Sequence, residues 1–212
     1  MNPGTGAPLE VSYLSGEVET RSFVSRPEGD GPFPAVMTIH GIFGLNPPDL
    51  GLIQRLASCG YVALAHGWQS RGRDPADDLI MEDIRAGIRY LKENEPVDPG
   101  RIGTVGFCRG GTIVMLAAGR IAELSVGVVF YGQAVYEETD SDKPVSAIDL
   151  VEDIRAPLLV FHGGQDAYFS IADARRYRDR LEAAGKEHEF LEFAEAGHAY
   201  FFEGAPNHDR EA

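Results

Sequence analysis

The chain has 212 residues and a mass of 23.0 kDa, with 19 Lys and Arg against 33 Asp and Glu, a formal net charge of −14 and a pI near 4.8. One domain spanning residues 1–212 is expected, since domains commonly run to about 100–200 residues, and 43% hydrophobic with 25% charged residues suits a globular fold. So acidic a chain excludes nucleic acid as a partner, because phosphates need a dense basic surface, and disfavours anionic membranes.

Met1–Gly6 has neither a basic region nor an apolar one, so no secretory leader is expected there. Leu9–Leu14 and Glu17–Ser25 read as two strands around a Ser15-Gly16 turn, and a Gly/Pro loop follows from Pro27 to Pro34. Ala35–His40 is a short strand, and Asp49–Ser58 has helical spacing at Leu52, Ile53, Leu56 and Ala57. Tyr61–Ala65 is a buried strand, followed by a long helix over Asp77–Glu93 with Ile80, Ile84, Ile88 and Leu91 on one face. Arg101–Phe107 (strand), Arg109–Gly119 (helix) and Val126–Tyr131 (strand) come next. Pro157–His162 (strand), Ser170–Ala184 (helix) and Glu187–Phe193 (strand) close the series. The longest apolar runs fall far short of the roughly 20 residues that span a bilayer. Cys59 and Cys108 show no Cys-x-x-Cys spacing, so a reduced, cytoplasmic protein is expected.

Short strands without polar alternation, separated by helices, imply an α/β fold: a mostly parallel sheet covered on both faces, with the first hairpin adding antiparallel edge strands. In such sheets ligands bind beyond the carboxyl ends of the strands. That places the site in the loops after His40, Phe107, His162 and Phe193.

The loop after Phe107 reads Gly106-Phe107-Cys108-Arg109-Gly110-Gly111 and opens a helix. Gly-x-Cys-x-Gly at a strand-to-helix turn is the nucleophile-elbow pattern with a thiol in place of the hydroxyl. Side chains two residues either side of the nucleophile would collide in so tight a turn. The helix N-terminus favours a thiolate, which a free cysteine with a pKa of about 8.5 needs at neutral pH. Asp166 then follows one strand and His198 the last, so nucleophile, acid and histidine occur in the order of α/β-hydrolases. The chemistry assigns Cys108 as nucleophile, His198 as base and then acid, and Asp166 as the group that orients the ring. The N–H groups of Arg109 and Ile42 are the expected oxyanion donors.

Other residues carry plainer readings. His40 and His162 are strand-end residues that shape their loops; His66 is a weaker pocket-lining candidate, and His188 and His208 read as surface residues. Cys59 reads as a small packed side chain. Arg175, Arg176, Arg178 and Arg180 alternate with Asp173, Asp179 and Glu182 as a solvated helix face. No His/Cys/Asp cluster has metal-ligand spacing, so neither metal nor cofactor is expected.

The elbow, the loop Gly41-Ile42-Phe43-Gly44-Leu45-Asn46, His162-Gly163-Gly164-Gln165-Asp166 and Ala196-Gly197-His198 together resemble the dienelactone hydrolase family from about Ala35 to Phe202. The resemblance implies a compact α/β-hydrolase without a large cap, usually a monomer, that hydrolyses a small ester or lactone without a cofactor, as carboxymethylenebutenolidase does. Its triad falls on Cys108, Asp166 and His198. The chain departs from it twice: a family glutamate that helps deprotonate the thiol is replaced by Gly41, and an arginine four residues past the histidine by Phe202. His40-Gly41 looks instead like the oxyanion-loop sequence of ordinary esterases. Gly41, Phe43, Trp68, Arg71, Arg73 and Phe202 are the substrate-binding candidates, and the aromatic wall favours a neutral or weakly anionic apolar acyl group. A thioesterase or acyltransferase, and a low-turnover cysteine sensor or binding protein, are the alternative readings.

Overall fold

The computed structural model describes residues 7–202 and 207–209; the Met1–Gly6 segment lies outside them. Strands β1 (Leu9–Ser15) and β2 (Val18–Ser25) form a hairpin. Ser15 pairs with Val18, so the turn is Gly16-Glu17, one residue later than the sequence suggests. Gly16 takes the left-handed conformation (φ 59°) that such a turn needs.

The remaining strands are β3 (Phe33–Ile39), β4 (Val62–His66), β5 (Val97–Phe107), β6 (Val126–Phe130), β7 (Leu158–Gly163) and β8 (His188–Phe193). They join the hairpin in one eight-stranded sheet of order β1-β2-β4-β3-β5-β6-β7-β8. β2 runs antiparallel to both of its neighbours, and every other pairing is parallel. β5 begins four residues before the expected Arg101, because Val97 pairs with Phe33 before a bulge resets the register to Ala35–Ile102.

Among the described residues four helices cover the sheet: α1 (Pro47–Ser58), α2 (Asp77–Asn94), α3 (Arg109–Arg120) and α4 (Ile171–Ala183). α1 starts where Pro47 and Pro48 suit a helix N-terminus and Asp49 reaches back to the Asn46 N–H at 2.9 Å. Alternate residues of β4 separate the two faces. Val62 and Leu64 join the core under α2, α3 and α4, whereas Ala63 and Ala65 pack with Ile53 of α1. α3 lies deepest, with Arg109 through Ala118 all buried. On the α1 face, Phe107, Phe130, Phe161 and Phe193 form an aromatic ladder across β5 to β8, with ring centroids 4.9, 4.5 and 6.2 Å apart. Two short 3-10 turns, Trp68–Arg71 and Ala147–Asp153, are too brief to leave a periodic pattern in the sequence.

Close approach of α3 to β3 sets the elbow. A Cβ on Gly110 would stand 2.1 Å from the Ile39 carbonyl oxygen, and one on Gly106 2.1 Å from that of Gly110. Neither contact can be relieved by rotating a side chain. Gly110→Ala is expected to destabilise the protein by about 1–3 kcal/mol and lower its melting temperature by about 2–12 °C, measured by thermal unfolding.

Candidate active site

Cys108 occupies the turn between β5 and α3 with φ 55° and ψ −120°, a conformation that L-residues avoid. Its N–H donates to the Phe130 carbonyl at 3.1 Å, and its own carbonyl accepts from Thr112 N–H at 3.2 Å. Among the described residues the other non-glycine positions of positive φ are Tyr131 (41°) and Ala199 (60°). One follows β6 and the other follows His198, so the backbone strain gathers at the carboxyl ends of the strands.

His198 and Asp166 meet there. His198 Nδ1 lies 2.7 Å from Asp166 Oδ2, and the other carboxylate oxygen accepts from the N–H groups of Tyr168 and Phe169 at 2.8 and 2.9 Å. Burial alone would raise the Asp166 pKa, but the hydrogen bonds from His198, Phe169 and Tyr168 outweigh it and hold the carboxyl low, hence ionised. Burial likewise opposes a charge on His198. Its hydrogen bond to Asp166, and the neighbouring Cys108 thiol, outweigh that and push its pKa up to about 9. The rings of Tyr131, Tyr168 and Phe169 enclose the imidazole at 5.0, 5.1 and 5.2 Å and leave His198 only 9% exposed.

His162 and His40 shape loops on either side. Burial lowers the His162 pKa, so the neutral ring donates Nε2–H to the Phe169 carbonyl at 3.1 Å and steadies the turn that holds Asp166. His40, pushed down to about 4 by burial, donates Nδ1–H to the Gly41 carbonyl at 2.7 Å, which also accepts from Gly44 N–H at 3.3 Å. In a trans peptide the N–H points opposite the carbonyl, so these bonds turn Ile42 N–H away from the His40 ring. Arg109 N–H belongs to the first turn of α3, where helical geometry supplies no acceptor. A Cβ on Gly41 would come 3.5 Å from Cys108 Cβ, so the missing side chain leaves room beside the thiol.

The other substrate-binding candidates divide. Phe43 is 89% exposed and lines an open cleft with Ile42, Gln69, Gly72 and Arg73. Phe202 packs on Phe107 at 4.7 Å, beneath the elbow. Trp68 and Arg71 do not face the site. Trp68 is fully buried, donates Nε1–H to the His40 carbonyl at 3.0 Å and stacks on the His40 ring. Arg71 turns inward to the buried Asp83 at 3.0 Å and to the Ser15 carbonyl at 2.8 Å. His66 is also interior rather than pocket-lining: it is fully buried, 2.6 Å from the Tyr13 hydroxyl. Cys59 is exposed at the C-cap of α1 instead of packed, and the His208 ring bonds to the Tyr200 carbonyl instead of lying free on the surface.

Two features escape the sequence reading. Tyr131 presents its ring to His198, and its φ above zero leaves no mark in composition. The Arg109 side chain, expected to matter only through its backbone, is buried between Asp74, Asp77 and Tyr136. A readable signal existed in Asp77 and Asp83, which share α2 with its apolar stripe and need cations once buried. Among the described residues no group of three or more His, Cys, Asp or Glu is arranged to hold a metal ion, and no helix is long and apolar enough to cross a membrane.

The family model of the dienelactone hydrolases matches residues 66–212. The chain belongs to the dienelactone hydrolase family. A Methylorubrum extorquens protein assigned as a carboxymethylenebutenolidase is 30% identical over 90% of this chain and 71% of its own length. A Bradyrhizobium protein assigned as a 2-oxo-3-(5-oxofuran-2-ylidene)propanoate lactonase is 31% identical over 84% of this chain and 78% of its own. The crystal structure of a Klebsiella pneumoniae protein assigned to the dienelactone hydrolases superposes with a TM-score of 0.90 at 27% identity, covering 98% of this chain and 92% of that one. This family member is therefore a hydrolase on the α/β scaffold described above.

If Arg71 serves packing and not substrate, Arg71→Ala strands a buried Asp83 carboxylate and costs about 3 kcal/mol. Thermal unfolding is expected to show that loss, while KM for small esters stays within about twofold of wild type.

Proposed function

We propose that the chain hydrolyses a neutral carboxylic ester or lactone through an acyl-enzyme on Cys108. The observation that carries the reading is the 2.7 Å His198–Asp166 hydrogen bond, with the Cys108 thiol close enough to His198 to help raise its pKa and the elbow holding that thiol where α3 begins. A protonated His198 beside Cys108 is the counter-ion a thiolate needs. The sulfur attacks the acyl carbon, forming the S–C bond while the carbonyl π pair moves onto oxygen. The oxyanion is held by the N–H groups of Ile42 and Arg109. Collapse breaks the bond to the leaving oxygen, which takes the proton from His198 Nε2; in a lactone that oxygen stays tethered and the ring opens. Neutral His198 then removes a proton from water, the hydroxide attacks the thioester, and the thiolate leaves beside the restored imidazolium.

The substrate class follows from the cations. Arg109 is matched by Asp74 and Asp77, and Arg71 by Asp83, so neither guanidinium is available to a substrate carboxylate; Arg73 lines the cleft with Phe43 but is exposed, where water screens a charge pair and leaves it worth little. The lactone named for the Bradyrhizobium relative is a propanoate; here Gly41 and Phe202 offer no charge for such a group. Neutral p-nitrophenyl esters and unsubstituted lactones are expected to exceed a carboxylate-bearing lactone by about tenfold or more in kcat/KM, the worth of one lost charge-assisted hydrogen bond. The reverse order would overturn the assignment of substrate.

Cys108→Ala is expected to abolish turnover and Cys108→Ser to leave a small residue; turnover that survives Cys108→Ala removes the nucleophile assignment. In wild type, kcat/KM falls as pH rises through about 9, where His198 loses the proton destined for the leaving group. Asp166 holds that proton on, so Asp166→Asn moves the falling limb to lower pH by about one unit or more. A pH–rate series on both proteins checks the sign. Rapid iodoacetamide labelling of Cys108 without turnover of any ester would favour the sensor reading.

A further inference from the structure

The residue after the nucleophile carries a side chain with more polar contacts than its place in the elbow requires. Arg109 is 7% exposed. Its Nε donates to Asp74 Oδ1 at 2.8 Å, one terminal nitrogen to the Tyr136 hydroxyl at 2.7 Å and the other to Asp77 Oδ1 at 2.6 Å. The Tyr136 hydroxyl in turn donates to Asp77 Oδ2 at 3.0 Å. Lys143 Nζ bonds to Asp74 Oδ2 at 2.9 Å, and Asp77 N–H donates to the Asp142 carbonyl at 2.8 Å. Two cations thus face two carboxylates, and the guanidinium is held on all three nitrogens. The groups that hold it come from three other places: the loop before α2, the first residue of α2, and the connection after β6 that carries Tyr136, Asp142 and Lys143.

We propose that Arg109 is a positioning residue whose clamped guanidinium sets the orientation of its own N–H as an oxyanion donor, and that Tyr136 ties this donor to the connection after β6. The proposal rests on the acyl-enzyme reading above. The physical basis is planarity. With the guanidinium fixed at three points and the helix fixing the carbonyl side, the Cys108–Arg109 peptide keeps little freedom to rotate. An oxyanion donor must stand ready before charge develops, because any reorganisation at that moment adds to the barrier. A leucine or methionine at this position would fill the same volume and orient nothing. Asp77 is fully buried and gains from the arrangement as well, since an unpaired carboxylate there would be costly. A purely structural bridge would serve that end from any helix position; this one leaves from the residue that supplies the donor.

The test separates oxyanion stabilisation from thiol reactivity. Displacement of iodide from iodoacetamide by the Cys108 sulfur develops no oxyanion, whereas acyl transfer does. Both rates are measured at neutral pH, with p-nitrophenyl butyrate as the ester, on wild type, Arg109→Met and Tyr136→Phe. Arg109→Met is expected to lower kcat by about tenfold or more with KM and the alkylation rate each within about twofold. Tyr136→Phe removes one hydroxyl and leaves both ion pairs, so it is the milder variant should Arg109→Met fold poorly; its kcat is expected to fall about threefold, again without change in alkylation. Wild-type kcat in both variants overturns the proposal. A parallel loss of kcat and alkylation also overturns it, because the whole elbow has then moved and not the donor alone. If wild type alkylates but turns over no ester, the hydrolase reading fails and this proposal fails with it. Turnover that needs Cys108 but ignores Arg109 and Tyr136 overturns this proposal alone.

Discussion

Everything in this molecule is arranged around the contact of the α3 N-terminus with the ends of β3 and β5. The chain must leave β5, reverse through one residue of positive φ and enter a helix whose first turn touches the Ile39 carbonyl. Two glycines make that approach possible, and the strain at Cys108 is held by its bond to Phe130 and by a helix buried for ten residues. Once the elbow is fixed, the parallel sheet sets the rest. β7 and β8 lie beyond β6 on one side and deliver Asp166 and His198 from neighbouring loops, and β3 delivers the loop of residues 41–46 from the other side. The aromatic ladder under these strand ends supplies a stiff apolar floor, so the polar groups above work in a medium of low dielectric.

The charges near the site follow a different rule from the charges outside. The surface is strongly acidic, and most of its ion pairs, such as Arg175 with Glu192 and Arg176 with Asp173, are exposed and worth little. Inside, Arg71 and Arg109 each have a buried carboxylate set against them. In the proposed mechanism, electrostatic stabilisation at the thiol therefore rests on His198 and oriented N–H groups rather than on a buried free guanidinium. Gly41 extends this pattern, since it places no acidic or basic side chain of its own beside Cys108.

Much of the order of elements was legible because buried strands leave uniform apolar runs, as Tyr61–Ala65 does, and amphipathic helices leave a periodic stripe, as Ile80, Ile84 and Ile88 do. The elbow and the two residues that join it were legible because glycine spacing and chain order are written in the sequence itself. What stayed hidden depends on side-chain direction. Trp68 and Arg71 lie in the loop after β4, where a site is expected, but both turn into the interior to meet His40 and Asp83. Nothing local to that loop states which way they turn; the partner of Arg71 lies twelve residues later on α2. Tyr131 was hidden for another reason: its positive φ is imposed by the surrounding packing, not by its own residue type. The extra residues of β5, Val97 to Gly100, include a proline and a glycine, which read locally as loop; of them Val97 pairs with Phe33 before the register shifts to Ala35–Ile102.

Trp68 has one more property. It is the single tryptophan of the chain, fully buried, bonded to the His40 carbonyl and stacked on a ring whose other bond shapes the loop of residues 41–46. Its emission is therefore uncontaminated by any other indole and originates one residue from Gly41. The protein carries a built-in optical probe at the edge of the candidate active site, in contact with the His40 ring and so placed to respond to any shift of the loop that ring holds.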